Sequence, residues 1–174
     1  ARKGAVREAL ASALAGALRE TKLARMQVEL DGEVIHRRVL NDALFCHRSP
    51  AATTRYLLEQ GEVVETQKSS GVWIGPAAGS TAAQRSAGGK VLPPASRRLQ
   101  YVVREPYHPN HEGYALARGL VEDGDTLVVR SQIREGRVYL DGPHVVHEVG
   151  IGSVLAFRRS DDSLSLLAFP RASK

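Results

Sequence analysis

Residues 71–89 read GVWIGPAAGSTAAQRSAGG, an apolar strand followed by a turn rich in glycine and hydroxyl groups. Residues 72–74 carry bulky, strand-forming side chains, and Pro76 ends the extended structure because it lacks a backbone donor. The next residues, 79–81, predict a flexible hinge with helix-capping hydroxyls, and residues 82–87 predict one short helix that Gly88 and Gly89 terminate. Such a strand, turn and helix N-terminus often binds an anion or a nucleotide, although on spacing alone an ordinary loop is the commoner interpretation.

Length and composition indicate a globular domain. The chain has 174 residues, of which 43% are hydrophobic, and this is enough for one well-buried domain with a small appendage. No apolar run approaches the roughly 18 residues that cross a bilayer, and the N-terminus lacks the pattern of a signal peptide, so we expect a cytoplasmic protein without a membrane partner. The single cysteine, Cys46, is expected to be a buried apolar residue.

The charge distribution argues against nucleic-acid binding. The net charge is +5, from 24 basic and 19 acidic residues, but the arginines are scattered and aromatic residues make up only 5% of the chain. A modest positive excess suits a small ligand that carries phosphate.

The order of patterns predicts a mainly β fold, a two-layer β-sandwich of about a dozen short strands. Apolar residues at helical spacing predict an amphipathic helix over residues 3–19, which needs a partner surface. Alternating patterns and turn residues dominate the rest, so we divide the chain into a helix at 1–20 and a sandwich at 21–174. The predicted strands are 23–30, 33–39, 53–60, 62–67, 72–74, 98–104, 114–120, 126–132, 137–140, 145–148, 154–158 and 164–169.

Asn41 and Asp42 are the first candidate binding residues outside the opening stretch. They stand between apolar flanks next to a predicted buried strand, where their side chains could bind a base or a ribose. An Asx turn between strands explains the same pair equally well.

Signals for catalysis or metal binding are weak. His108 and His111 lie three apart in a proline-rich loop, but no third ligand stands at a recognised spacing, so no metal site is predicted. Ser80 does not lie in a nucleophile elbow, because Ala82 takes the place of its last glycine. The sequence also lacks a Walker phosphate loop and a dinucleotide fingerprint that opens a βαβ unit, so we assign no catalytic residue.

Over nearly its whole length the chain resembles the C-terminal domain of NAD kinases. That family carries an Asn-acid motif, a strand with Gly-Ser-Thr-Ala, a Ser-Ala-Gly-Gly sequence and closing strands in this order. The matching segments here are Val39-Leu-Asn-Asp42, Arg48-Ser-Pro-Ala51, Gly71, Gly79-Ser-Thr-Ala82, Ser86-Ala-Gly-Gly89, Gly136-Arg-Val-Tyr-Leu-Asp-Gly142 and residues 149–167.

The resemblance implies an enzyme that phosphorylates the 2′-hydroxyl of the adenosine ribose of NAD to give NADP. It implies ATP or polyphosphate as the donor, a divalent cation such as Mg²⁺, and assembly into homodimers or homotetramers. The residues that it implies for NAD binding are Asn41, Asp42, Ser70, Gly79, Ser80, Thr81, Ala82 and Ala83.

Departures from the family pattern leave alternatives open. Ser70 replaces the usual acid, Pro76-Ala77-Ala78 loses a hydroxyl, and Ala83 replaces the usual tyrosine. The Gly-Gly-Asp-Gly-Thr loop of the family appears nowhere in these residues, so the helix at 1–20 is expected to be the tail of a missing N-terminal α/β domain and the fragment alone is expected to be inactive. The alternatives are a diacylglycerol-type lipid kinase of the same superfamily and a non-catalytic nucleotide-sensing or assembly domain.

Overall fold

Two six-stranded antiparallel sheets make up most of the computed structural model, which describes residues 5–107 and 113–169. The strands are β1 (Arg19–Leu30), β2 (Glu33–Val39), β3 (Ala43–His47), β4 (Thr54–Gln60), β5 (Val63–Ser69), β6 (Gly71–Gly75), β7 (Leu99–Arg104), β8 (Arg118–Val121), β9 (Thr126–Ser131), β10 (Gly136–Leu140), β11 (Val145–Val149) and β12 (Val154–Ala168). The helices are α1 (Ala5–Leu14), a 3-10 helix (Ala77–Thr81) and α2 (Ala83–Ser86). The predicted mainly β, two-layer class is confirmed.

The core lies between the two sheets. The first sheet has the order β2-β1-β12-β9-β4-β5 and the second has the order β11-β10-β3-β6-β7-β8. In β6, Val72 and Ile74 are fully buried while Trp73 between them is half-buried, because successive side chains of a strand point to opposite faces. Phe45 of β3 and Tyr56 of β4 meet edge to face across the core, with ring centroids 5.8 Å apart. The outer face of the second sheet, on which Trp73 lies, does not take part in this core.

Asp-Gly pairs form two of the hairpin turns, as their turn chemistry predicts. Asp31 and Gly32 join β1 to β2 with φ angles of 52° and 85°. Asp141 and Gly142 join β10 to β11 with φ angles of 50° and 109°. In the first turn Leu30 pairs with Glu33, and positive φ at both residues between them is the geometry of a type I′ turn, whose twist matches that of the flanking strands. The second connection is longer, because residues 141–144 lie between the paired Leu140 and Val145.

The N-terminal helix is shorter than the predicted range 3–19. It ends at Leu14, and Gly16 adopts a φ of 66°, a left-handed conformation common just beyond a helix C-terminus. The chain is extended again from Arg19, where β1 begins. The side chains of Val6, Leu10 and Leu14 are 67%, 60% and 83% exposed, so the described sandwich does not bury this apolar face.

Two predicted strands, 154–158 and 164–169, are one continuous strand, β12. The two predicted ranges leave out residues 159–163, which are all polar. The structure instead absorbs them in a β-bulge, since Ala24 pairs with Ser163 whereas Met26 pairs with Arg159. A bulge lets the ladder continue past residues that cannot keep its register.

The predicted strand 114–120 is reduced to β8, Arg118–Val121. Glu65 explains the loss, because its carboxylate accepts hydrogen bonds from the N–H groups of Ala115 and Leu116 at 2.9 and 3.0 Å. A side chain therefore takes the donors that a strand partner would need. Within the described ranges, neither α-helix is long or apolar enough to span a bilayer.

Candidate functional site

A largely apolar row crosses the outer face of the second sheet. Tyr139 of β10 pairs with Leu44 of β3. Leu44 pairs in turn with Trp73 of β6, and Trp73 pairs with Val102 of β7. Directly paired residues project to the same face of an antiparallel sheet. Two aromatic rings and two aliphatic side chains therefore form one row, on a surface to which a planar ring can bind.

Three cavities with shared lining residues open along this row, and together we call them the outer groove. The first has a volume of about 280 Å³ and is lined by Asp42, Leu44, Trp73, Tyr139, Gly142 and Pro143. The second, of about 330 Å³, shares Leu44 and Tyr139 with the first and includes Cys46, Arg48, Ser70 and Arg104. The third, of about 610 Å³, includes Trp73, Ala83 and Arg104. The groove is suited to an extended ligand with more than one ring.

The Asp141 carboxylate fixes the Asn41-Asp42 turn at the start of β3. Its oxygens accept hydrogen bonds from the N–H groups of Leu40, Asn41 and Asp42 at 2.9, 2.7 and 3.3 Å. The Asp141 N–H donates to the Asp42 carbonyl at 2.9 Å. The turn therefore holds its shape through a hairpin that lies far away in the sequence.

Asp42 is the carboxylate of the outer groove with the most perturbed acidity. Its side chain is 9% exposed, and burial raises its pKa to about 6, with a further contribution from the negative charge of Asp141. Above that pH the ionised group can accept hydrogen bonds from hydroxyl or amino groups of a ligand in the first cavity.

Asp42→Asn is expected to change how stability depends on pH. The folded chain holds the Asp42 proton more tightly than the unfolded chain, whose carboxyl has the ordinary pKa of 3.8. The wild type is therefore stabilised by protonation below that pKa, and this stabilisation is lost as the pH rises through about 6. Between about pH 4.5 and about pH 7.5, the free energy of unfolding of the variant should rise by about 2 kcal/mol relative to the wild type.

Urea unfolding at the two pH values measures this difference, and Asp123→Asn is the control. A hydrogen bond from Arg159 lowers the pKa of the Asp123 carboxyl, so the stability that this carboxylate contributes is lost only below this pH range. The stability of Asp123→Asn relative to the wild type should therefore stay nearly constant between the two pH values. A constant difference between Asp42→Asn and the wild type across the pH range would contradict the buried-carboxylate assignment.

The Gly79 segment is a 3-10 helix, so the predicted flexible hinge is wrong. Gly79 is buried, and a Cβ there would overlap the carbonyl oxygen of Asn41. Gly75 packs against the same carbonyl group. Neither glycine has a positive φ, so both are needed for close packing rather than for turn geometry. They allow the backbone of the Asn41-Asp42 turn to lie directly on this segment.

The predicted helix-capping role of the hydroxyl groups is also wrong. Ser80 is fully buried, and its Oγ donates to the Ala77 carbonyl at 2.6 Å and accepts from the Leu92 N–H at 3.0 Å. Thr81 is exposed, and the residue that precedes α2 is Ala82, which makes no side-chain cap. Ser80 therefore ties the 3-10 helix to the segment that follows α2, while Thr81 and Ala82 lie at the surface.

The predicted short helix is confirmed as Ala83–Ser86, and Gly88 follows it with a φ of 94°. Gln84 is fully buried and connects this helix to the rest of the site. Its Nε2 donates to the Asn41 carbonyl at 3.4 Å, and its Oε1 accepts from Nε2 of Gln100 at 3.0 Å. The network positions α2 so that its first residue lines the third cavity.

Ser70 lies at the other end of β6 from Gly75, in the second cavity. Its N–H donates to the Arg104 carbonyl at 3.0 Å, and the Arg104 guanidinium carbon lies 5.9 Å from the ring centroid of Trp73. Arg104 also forms an ion pair at 3.9 Å with Glu105, which lines the same cavity, so this end of the groove carries charges of both signs. Cys46, expected to be buried, is half-buried in the same cavity, and partial burial raises the pKa of its thiol.

Sequence reasoning located part of this arrangement. It named Asn41 and Gly79, whose backbones the structure brings into contact. It did not name Trp73, Tyr139 or Asp141 as residues of the binding site. Trp73 could have been found, because the alternation of β6 places it on the face opposite the core. For Asp141 the sequence offered only a turn signal.

The histidines supply no recognisable ligand set. Across residues 5–107 and 113–169, no group of three His, Cys, Asp or Glu side chains is arranged to hold a metal ion. His36 and His47 accept backbone hydrogen bonds from Arg38 and Ser49 at 3.0 and 2.9 Å, so they stabilise local turns. His108 and His111 lie outside the described residues.

Comparison with known proteins gives three related sequences, although no protein-family model matches the chain. A probable NADH kinase of Oryza sativa subsp. japonica is 37% identical over 153 residues, which cover 84% of this chain and 47% of that protein. The NADH kinase of Arabidopsis thaliana is 41% identical over 88 residues, or 51% of this chain and 27% of that protein. The NAD kinase of Acinetobacter baylyi is 29% identical over 154 residues, or 85% of this chain and 48% of that protein.

A solved structure shares the fold. The crystal structure of yeast NADH kinase complexed with NADH matches with a TM-score of 0.80 at 13% identity, over 95% of this chain and 51% of that chain. At this identity the match concerns the fold alone. The chain spans about half the length, or less, of the curated relatives that it matches.

Proposed function

Because the chain belongs to the NAD kinase family and corresponds to its C-terminal domain, we propose that it is the dinucleotide-binding part of a kinase that phosphorylates NADH. The reaction is transfer of a phosphoryl group to the 2′-hydroxyl of the adenosine ribose. The outer groove carries this proposal, because it combines an aromatic row with a fixed Asn41-Asp42 turn on one face of the sandwich. Turnover is assigned to the longer protein.

The groove offers distinct surfaces to the parts of a dinucleotide. Trp73 and Tyr139 present aromatic faces on which a base or a nicotinamide ring can stack. Asp42, ionised above about pH 6, can accept hydrogen bonds from ribose hydroxyls. Contacts of Asn41, Ser70, Gly79, Ser80, Thr81, Ala82 and Ala83 with the ligand stay predictions.

The names of the relatives favour the reduced dinucleotide. The two relatives with the higher identities are both named NADH kinases. Charge does not add to this argument, because Glu105 lines the same two cavities as Arg104 and forms an ion pair with it at 3.9 Å.

In this proposal the longer protein binds the phosphoryl donor, ATP or polyphosphate, together with a divalent cation such as Mg²⁺. When bound, the cation would neutralise charge on the transferring phosphate. The described residues provide no cluster of ligands for it, so the work of the groove is to bind and orient the dinucleotide. Assembly into homodimers or homotetramers belongs to the same proposal.

We expect the full-length protein to form NADPH from NADH and ATP with a higher kcat/KM than it shows for NAD. Chromatographic separation of the products measures both reactions, and diacylglycerol serves as a control acceptor that should not be phosphorylated. If neither dinucleotide gives a product, with ATP or with polyphosphate, the kinase assignment is contradicted. A preference for NAD would contradict only the choice of the reduced dinucleotide.

A further inference from the structure

The hairpin turn between β10 and β11 lies beside the turn that begins β3, because β10 and β3 are neighbouring strands in which Leu140 pairs with Ala43. Asp141 accepts three backbone N–H groups of residues 40–42 and returns its own N–H to Asp42. Hydrogen bonds that end on a carboxylate are shorter and stronger than those between neutral groups. One side chain thereby satisfies three successive donors.

The same turn also forms a wall of the outer groove. Gly142 and Pro143 line the first cavity together with the Asp42 side chain, so the hairpin and the β3 turn meet in one place. The Asn41 carbonyl lies against Gly79 on the other side, which leaves this backbone little room to relax. A change in the hydrogen bonds of Asp141 therefore alters the orientation of Asn41 and Asp42.

The chain contains a matched turn that lacks this connection. Asp31 begins another Asp-Gly turn, with a φ of 52° against 50° for Asp141. That turn has two residues between the paired Leu30 and Glu33, whereas residues 141–144 separate the paired Leu140 and Val145. The Asp31 carboxylate accepts the Val154 N–H at 2.7 Å, and its N–H donates to the Val154 carbonyl at 2.8 Å. Val154 begins β12, which belongs to the first sheet, away from the groove. Turn stability and site geometry are thus separable within one molecule.

We propose that Asp141 is a positioning residue of the dinucleotide site, which acts through the backbone of Asn41 and Asp42 rather than through contact with the ligand. This inference rests on the proposed function. It assigns to Asp141 the orientation of the polar groups at the Asn41-Asp42 end of the groove. Loss of the carboxylate loosens those groups and weakens dinucleotide binding.

The test compares Asp141→Ala and Asp141→Asn with Asp31→Ala in the full-length protein. NADH affinity is measured by calorimetry, KM and kcat by NADPH formation, and Tm by calorimetric scanning. Asp141→Ala should raise the Kd and KM for NADH about tenfold while kcat changes less than threefold. Asp141→Asn should recover part of the affinity, because its amide oxygen can still accept from Asn41 and Asp42. Asp31→Ala should lower Tm without a change in KM.

Other outcomes would overturn the inference. An unchanged Kd in Asp141→Ala, or equal changes of KM in the Asp141 and Asp31 variants, would reduce Asp141 to a turn residue. If Asp141→Ala does not fold, Asp141→Asn and Asp141→Ser take its place in the test. Wild-type affinity for NADH in both of these variants would overturn the inference. A wild-type protein that neither binds nor phosphorylates NADH would remove the proposed function and this inference together, whereas an active wild type isolates the failure to Asp141.

Discussion

Gly79→Ala is expected to lower the free energy of unfolding by about 3 to 5 kcal/mol, a large fraction of the stability of a typical domain. The added Cβ would overlap the carbonyl group of Asn41. Neither side can move easily, because Asp141 binds the backbone of Asn41 and the buried hydroxyl of Ser80 anchors the 3-10 helix. The overlap must therefore be relieved by displacement of backbone, which costs more than the rearrangement of a flexible side chain.

Urea unfolding of the variant and the wild type measures the effect of Gly79→Ala, with Gly113→Ala as the matched control. Among the described residues, no heavy atom lies within 4 Å of the added Cβ at Gly113, and this glycine does not adopt a positive φ. Its substitution should therefore change stability by less than about 0.5 kcal/mol. Equal stabilities for the two variants would show that the Asn41 turn does not press on the 3-10 helix.

The local part of this architecture could be predicted from the sequence. Residues 72–74 all carry bulky, strand-forming side chains, so their preference for a strand is set locally and predicts β6 without knowledge of its neighbours. Turns follow the same logic, because the Asp31-Gly32 pair tolerates the positive φ angles that a tight hairpin requires. These features need only residues that are close in the chain.

The parts that the sequence could not predict depend on contacts between distant segments. Gly79 is consistent with a hinge until the Asn41 carbonyl is known to lie against it. Asp141 indicates only a turn, since its three backbone partners lie about a hundred residues earlier. The unbroken course of β12 depends likewise on β1, which continues to pair beyond the bulge near Ser163. A single sequence contains no direct signal for any of these contacts.

Trp73→Ala should have the largest effect on ligand binding, with a Kd for NADH raised about 30-fold. The indole is shared by two of the three cavities. Loss of an aromatic ring that stacks on a base costs about 1 to 3 kcal/mol, and the middle of that range corresponds to about 30-fold in Kd. Ala83 lines the same cavity as the indole and offers no aromatic face that could replace it, so the effect of Trp73→Ala should be large. Trp73→Phe keeps a smaller ring and should recover most of the affinity.

Tyr107→Ala is the matched control for the Trp73→Ala titration. Tyr107 is also an exposed aromatic residue beside a cation, with Lys68 at 6.0 Å from its ring centroid against 5.9 Å for Arg104 and Trp73, but it does not line the outer groove. Isothermal titration of the full-length proteins with NADH at one ionic strength should therefore show wild-type affinity for Tyr107→Ala. Equal affinities for Trp73→Ala and the wild type would place the dinucleotide outside the two cavities that Trp73 lines.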